Sequence, residues 1–482
     1  VEAFAFALFW GLALFGFFSK EKHALIFILF GSMAFGSFAV FPPAITGGLT
    51  FTAPPIIVLM IIGRTFLVKG GLDTFFRIAL DKRQAMLLFL FWVVATVVTL
   101  FMPRFFQGEV MVIPVRAEDL GFGVPLEPTT QNISQLVYMS ISVVSALVFS
   151  VVLRDEKIKQ VTLKAICVGA GVAIFTGFLD FINQFASIDF ILDGFRNATY
   201  TLLTEAGVGS SSNAKRIVGL MPEASAFGSL CLAYLTFLYF ARVSIEDDHL
   251  RERIAPVIIL LLVVMAWLST SSAAYVGLGF FGLLATVEWI WRYNKRQENP
   301  LFARGLTFQL WLINIGIVAL LLAIAFAPSI FDPVLNMIDE IVLQKTESSS
   351  FEERSMWTAV SWQAFIDSYG MGVGIGSTRS SNGAVAMISN VGAIAAVFYY
   401  GFLIHLVFRK APKGDLYGEA LISAAKWSYI PSFVIDFLIS TTPDFGVFNA
   451  FRYGLILAIA YPTLTNRFKP SYSKAYQTHG NQ

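Results

Sequence analysis

The sequence predicts an all-α integral membrane protein, a polytopic bundle of about 12–14 transmembrane helices with one large late loop that carries an amphipathic helix. Three observations lead there. Hydrophobic residues make up 56% of the 482 residues and charged residues 14%, with a mean hydropathy of +0.70, too little charge for a water-soluble surface. Apolar segments recur at close to the roughly 20-residue length that a bilayer demands, and helices satisfy their own backbone in lipid. Lys and Arg fall almost entirely in alternate gaps between those segments. The formal net charge of +2 gives no reason to expect nucleic acid.

Taken in order, about thirteen spans are expected: 3–18, 24–41, 52–68, 85–102, 133–153, 163–182, 220–241, 254–268, 273–291, 307–327, 385–408, 416–439 and 448–464. In the third, the segment that follows Pro54-Pro55, 56–68, is short. Gaps near 19–23, 69–84, 154–164, 242–253, 292–304, 409–415 and the tail from Arg467 hold about 23 of the 34 basic residues, which places that side in the cytoplasm. The C-terminus is then cytoplasmic and the N-terminus outside. The first residues lack the basic start of a cleavable signal peptide. Residues 1–466 read as one transmembrane helical domain and 467–482 as a disordered cytoplasmic tail. Segment 71–80, GLDTFFRIAL, reads as an interfacial amphipathic turn. Cys167 and Cys231 lie in apolar spans and read as packed free thiols.

The outer face carries the chemistry. Cytoplasmic basic residues orient the chain; outer ones oppose the rule and invite a reason. They are Arg104, Arg116, Arg196, Lys215, Arg216, Lys345, Arg354, Arg379 and Arg452. Three outer gaps are long: 103–132, 183–219 and 328–384. In the last, Ser350 and Glu353 have capping-box spacing, and Gly370 supplies a stop, so a helix is expected between them. Arg354 then sits in the first turn, where the macrodipole disfavours a cation. Either an anionic ligand binds nearby or Arg354 pairs with Glu352 or Glu353. Gly372, Gly374 and Gly376 alternate beyond the helix. They fit backbone amides facing an anion, or a tight re-entrant loop. Arg379 follows, with a fork suited to phosphate.

A second cluster is KRIVGLMPEASAFG at 215–228. Pro222 fits the first turn of the seventh span, with Glu223 one residue later. Glu223 is either a helix-start acid or a carboxylate facing a cavity beside Arg216. Asp180 lies at the outer end of the sixth span. Asp444 and Arg452 flank the last outer turn, where pairing with each other is one reading. Lys426 and Asp436, inside one span, read as partners or as snorkelling groups, and Arg64 as snorkelling. Ser269–Ser272 make a short outer turn. None of the four histidines falls outside, so no outer histidine serves as a base, and no Asp, Glu and His cluster suggests a metal site.

These residues resemble the O-antigen polymerase and O-antigen ligase superfamily. The likeness rests on Arg354-x15-Gly370 followed by GMGVGIGSTRSSN, on RIVGLMPEAS, and on the polar turn STSSAAYVGL, where relatives carry a Ser-Arg pair. It implies a GT-C-like, metal- and cofactor-independent glycosyltransferase of the bacterial inner membrane, its site facing the periplasm. The donor would be an undecaprenyl-diphosphate-linked oligosaccharide and the acceptor a glycan, with a chain-length regulator and a flippase as partners. Arg216, Arg354 and Arg379 would neutralise the departing pyrophosphate. The missing loop histidine and the missing Arg of the Ser-Arg pair favour a repeat-unit polymerase over a ligase.

The chemistry fits these residue types. Cleaving a sugar–pyrophosphate bond develops negative charge that preorganised arginines stabilise. The acceptor hydroxyl needs a base, for which Glu223 stands first and Asp180 and Asp444 behind it. Gly370, Gly372, Gly374, Gly376, Arg452, Asp180 and Asp444 are the expected substrate-binding set. The alternatives are an O-antigen ligase-type transferase and, from another class, a lipid-linked oligosaccharide flippase. Transporters are often built from internal repeats, and no such repeat is visible in this sequence.

Overall fold

Long runs of Phe, Leu, Val and Ala leave the backbone in lipid no partner but itself, and almost every ordered element is a helix. The computed structural model describes residues 2–462 except 22, 43–44, 47–49, 116–122, 200–201, 203–214 and 327–348. Arg116, Lys345 and the tail 467–482 lie outside the described residues, as does the side chain of Ser350.

The helices are α1 (Glu2–Phe18), α2 (Ala24–Ser32), α3 (Ala53–Leu67), α4 (Gly71–Leu80), α5 (Met86–Phe105), α6 (Thr130–Val152), α7 (Glu156–Asn183), the short α8 (Asp189–Leu192), α9 (Ala224–Ala241), α10 (Ala255–Leu268), α11 (Ser272–Lys295), α12 (Leu306–Phe326), α13 (Ser349–Asp367), α14 (Gly383–Val407), α15 (Leu416–Ile439) and α16 (Gly446–Ala460). Two-residue strands β1 (Met111–Val112) and β2 (Val124–Pro125) pair antiparallel between α5 and α6. Among the described residues, seven helices are long and apolar enough to cross a membrane; α3 and α4, bent by 106°, make an eighth if counted as one span. The chain is thus an all-helical polytopic membrane protein. Outward faces agree: Val93, Val97 and Phe101 on α5, and Val257, Leu260 and Val264 on α10, are exposed at helical spacing, as lipid contact requires.

Close approach of helices holds the centre together. A Cβ at Gly454 of α16 would lie 2.4 Å from Phe149 of α6, and one at Gly169 of α7 would lie 2.7 Å from the Phe30 carbonyl of α2. Small residues permit such contacts, which in lipid must supply the association energy that water supplies elsewhere. Phe451 of α16 fills the centre, its ring 5.2 Å from Phe30 and 5.1 Å from Phe237 of α9. Both cysteines are buried and free.

Each expected span coincides in position with a helix, but among the described residues seven or eight of these, not thirteen, are long and apolar enough to cross a membrane. Three local corrections also apply. The second helix stops at Ser32 rather than 41, because the Ser37 amide donates to the Leu220 carbonyl (2.9 Å) and Gly36 lies beneath Met221 and Pro222. The seventh begins at Ala224, so Pro222 precedes it, and Glu223 is the extended N-cap. Helix α14 is broken at Gly392, whose φ is +77°. Segment 71–80 forms α4 as expected, and the C-terminal carbonyls of α1 receive the Arg64 guanidinium, at 2.8 Å from Gly16 and 3.0 Å from Ser19.

Candidate functional site

Helix α13 spans Ser349–Asp367 and ends before two left-handed residues, Tyr369 (φ +53°) and Gly370 (φ +77°), so the expected stop holds, while the capping role of the Ser350 side chain lies outside the described residues. Arg354 is half-buried on it, and no ion pair with Glu352 or Glu353 forms among the described residues. Glu353 acts instead on Arg379. The Arg379 guanidinium lies over the Trp357 ring at 3.8 Å from its centroid. Trp357 is three residues beyond Arg354, on the same face of the helix. Burial lowers the affinity of the Arg379 guanidinium for its proton, and the Glu353 carboxylate works against that shift.

The glycine loop is what fixes Arg379, and it corrects one expectation. Gly370, Gly372, Gly374 and Gly376 all have φ between +77° and +90°. Their amides point inward: Gly370 to the Phe365 carbonyl (2.9 Å), Gly372 to the Ser368 hydroxyl (3.2 Å), Gly374 to the Asn390 carbonyl (2.9 Å) and Gly376 to Asn390 Oδ1 (3.1 Å). These amides are satisfied within the protein and do not face an anion. The loop is the tight re-entrant alternative. It docks at the break in α14, where the Ala393 amide donates to the Gly370 carbonyl (2.9 Å). Asn132 of α6 donates to the Ile375 carbonyl and the Ser377 hydroxyl, both at 2.8 Å. The Arg379 amide donates to the carbonyl of Ile113, just after β1 (2.8 Å).

The second cluster is built on other elements. Asp180 of α7, 8% exposed, pairs with Arg196 at 2.8 Å and accepts the amides of Val218 (2.7 Å) and Gly219 (3.1 Å). It is a clamp for the 215–223 segment rather than a free base. The Ile217 amide donates to the Leu268 carbonyl (3.3 Å), which sets Arg216 beside the α10–α11 turn within electrostatic reach of Tyr275. Glu223 is half-buried and accepts the Ser225 hydroxyl. Arg216 and the Arg354–Arg379 pair are therefore held by contacts with different elements.

No protein-family model matches the chain, and neither a curated protein nor a solved structure does. The geometry has to carry the reading.

A cavity of about 320 Å³ has walls that include Met33, Tyr138, Ser142, Leu230, Asp444 and Phe448. Leu230 is seven residues past Glu223 on α9, roughly 10 Å along the axis at 1.5 Å per residue. Asp444 accepts the Gly446 amide at 3.0 Å and also lines a cleft with Asp436, Tyr399 and Tyr429. Burial pushes its carboxyl up from the usual range, while hydrogen bonds from Ser142 and the Gly446 amide oppose the shift.

Arg452 does not pair with Asp444. It turns into the bundle, 1% exposed, and donates to Asn449 Oδ1 (2.7 Å) and the Ser432 hydroxyl (3.0 Å). Asn449 in turn donates to Asp436 (3.3 Å), so Arg452 and Asp436 form one network inside the bundle. Lys426 is not a partner of Asp436; it snorkels to the Arg409 carbonyl. Among the described residues no three His, Cys, Asp or Glu side chains come together as metal ligands. Sequence reasoning passed over Asn132, Asn390 and Gly392. The available signal was an Asn followed two residues later by a Gly inside an apolar run, a costly pair in lipid without a packing reason.

Proposed function

We propose that this chain is a membrane glycosyltransferase of the polysaccharide-polymerase type. It transfers glycan repeats from an undecaprenyl-diphosphate-linked donor to an acceptor sugar on the outer side of the bacterial inner membrane. The observation that carries the reading is Arg379 stacked on Trp357, one helical turn beyond Arg354 on α13, with Arg354 unengaged by its neighbouring glutamates. Two guanidinium groups on a rigid support suit a departing diphosphate. In this reading Arg216 is the third cation, Glu223 takes the proton of the attacking hydroxyl, and the cavity reached at Leu230, further along α9, receives part of the substrate. The bond formed is from the anomeric carbon to the acceptor oxygen, and the bond broken is from that carbon to the pyrophosphate oxygen.

The test is purified protein in detergent with lipid-linked repeats. Longer glycans should appear, and Arg354→Lys, which keeps charge but loses the fork, should abolish them. Normal products from Arg354→Lys would remove the diphosphate assignment. A flippase for lipid-linked oligosaccharides is the second reading, favoured by the Asp436–Asn449–Arg452 network inside the bundle. Translocation of the donor across vesicles without chain growth would select it.

A further inference from the structure

At the opposite, basic-rich end of the bundle, Arg242 follows the last residue of α9 and opens a 3-10 turn, Arg242–Ser244. Its side chain is 7% exposed, and its guanidinium makes no hydrogen bond or ion pair with any described residue. A buried cation without acceptors is costly, so the surroundings matter.

Most nearby acceptors are taken, although Glu288 Oε2 is left without a hydrogen bond. Glu288 pairs with Arg292 Nε at 2.8 Å, and Gln309 accepts Arg292 Nη2. The Arg304 carbonyl accepts Arg292 Nη1 (3.2 Å), and the Val243 carbonyl accepts Arg304 Nη1 (2.9 Å). Glu252 accepts a hydrogen bond from Arg251 Nε (2.7 Å) and reaches Arg242 only through space. Arg292 and Arg251 add like charge.

Arg242 Nη2 stops 2.5 Å from where a Cβ on Gly305 would stand. Gly305, at φ +74°, immediately precedes α12. The Gln309 amide returns to the Gly305 carbonyl (3.0 Å), whereas the amides of Leu306, Thr307 and Phe308 have no intrahelical acceptor. No acidic residue occupies that first turn. A guanidinium fork and the positive end of a 21-residue helix therefore converge on one point, where the nearest carboxylates, Glu252 and Glu288, act on Arg242 only through space.

We infer that the N-terminus of α12 and Arg242 bind an anionic phosphate group at the basic-rich end of the bundle. The donors are the free guanidinium N–H groups and the first-turn amides. The phosphate belongs either to an anionic phospholipid headgroup or to a soluble phosphate compound. The inference does not depend on the transferase reading.

Thermal unfolding of delipidated protein in nonionic detergent tests it. Separate titrations use inorganic phosphate, short-chain phosphatidylglycerol and short-chain phosphatidylcholine. Stabilisation by phosphatidylglycerol alone assigns the lipid source. Stabilisation by inorganic phosphate, with or without the lipid, assigns the soluble one. In either case Arg242→Gln should raise the half-saturating concentration at least tenfold. Thr307→Glu supplies an internal anion and favours the helix start, so it should fold and lose the response as well. If Arg242→Gln fails to fold, Thr307→Glu decides. No shift in the parent protein, an equal shift with phosphatidylcholine, or unchanged titration of Thr307→Glu would overturn the site.

Discussion

The Arg379 guanidinium rests on the face of the Trp357 indole, 3.8 Å from its centroid, while the Arg379 carbonyl accepts the Ser361 hydroxyl at 2.7 Å. Backbone and side chain of Arg379 are thus both tied to α13. A shielded cation–π contact is worth about 1–2 kcal/mol. Trp357→Leu should therefore lower the initial rate of chain growth by roughly tenfold, with the protein still folded. Arg379→Lys should cost more, since the fork is lost as well. Equal rates for Trp357→Leu and the parent would mean that the stacking does not hold a working group.

The glycine loop is a packing device, and its substitutions should read out as stability. A Cβ at Gly374 would meet the Pro103 ring at 2.7 Å with φ at +90°. Gly374→Ala combines that clash with a disfavoured backbone, so a loss of more than ~1 kcal/mol is expected. Thermal unfolding in detergent should show a midpoint several degrees lower. A Gly374→Ala protein with parental stability and no activity would instead implicate the loop directly in substrate binding.

Asp180 should behave as half of a buried pair. Its side chain and that of Arg196 are 10% and 7% exposed. Removing one partner of such a pair strands the other and costs about 3–5 kcal/mol. Asp180→Asn should therefore unfold early or express poorly, whatever the substrate. A stable but inactive Asp180→Asn protein would return Asp180 to the list of bases.

Asp444 should make stability fall with pH. Burial raises its carboxyl above the unfolded value, about 3.9 for Asp, so between the two values the folded chain holds a proton that the unfolded chain has released. The associated stability is full below the unfolded value and is lost as pH rises through the folded one. Asp444→Asn removes that term, so the ratio of variant to parent stability should climb from pH 4 upward. Parallel pH profiles for the two proteins would show that Asp444 is not held above its normal range.

The spans were legible because bilayer length and backbone satisfaction leave few choices: α5, α6, α15 and their neighbours fall where apolar runs do. The helix at 349–367 was legible from Ser350, Glu353 and Gly370 as punctuation. What sequence could not supply was which partner each polar group takes. The second helix ends early because Leu220, almost two hundred residues away, offers a carbonyl to Ser37. Gly372, Gly374 and Gly376 have identical spacing whether their amides face an anion or Asn390; only the break at Gly392 decides. Arg452 lies eight residues from Asp444, yet its network runs to Asn449 and Asp436, because the guanidinium turns from the rim into the bundle.

Glu223 remains the sharpest test. It is the N-cap of α9 and accepts the Ser225 hydroxyl, with Asp180 already committed to Arg196. An N-cap carboxylate interacts with the helix dipole for about 0.3–1 kcal/mol, and glutamine at that place keeps the shape while losing only that interaction. If Glu223 merely supports the helix start, Glu223→Gln should unfold within a few degrees of the parent and elongate glycans at nearly the parental rate. If it accepts the proton of the acceptor hydroxyl, the same protein should bind the lipid-linked donor normally and fail to elongate it, with the rate down by about 10²–10⁴. Donor binding measured alongside chain growth separates the two outcomes. Parental growth in Glu223→Gln would move the base role to Asp444, a carboxylate that lines the 320 Å³ cavity.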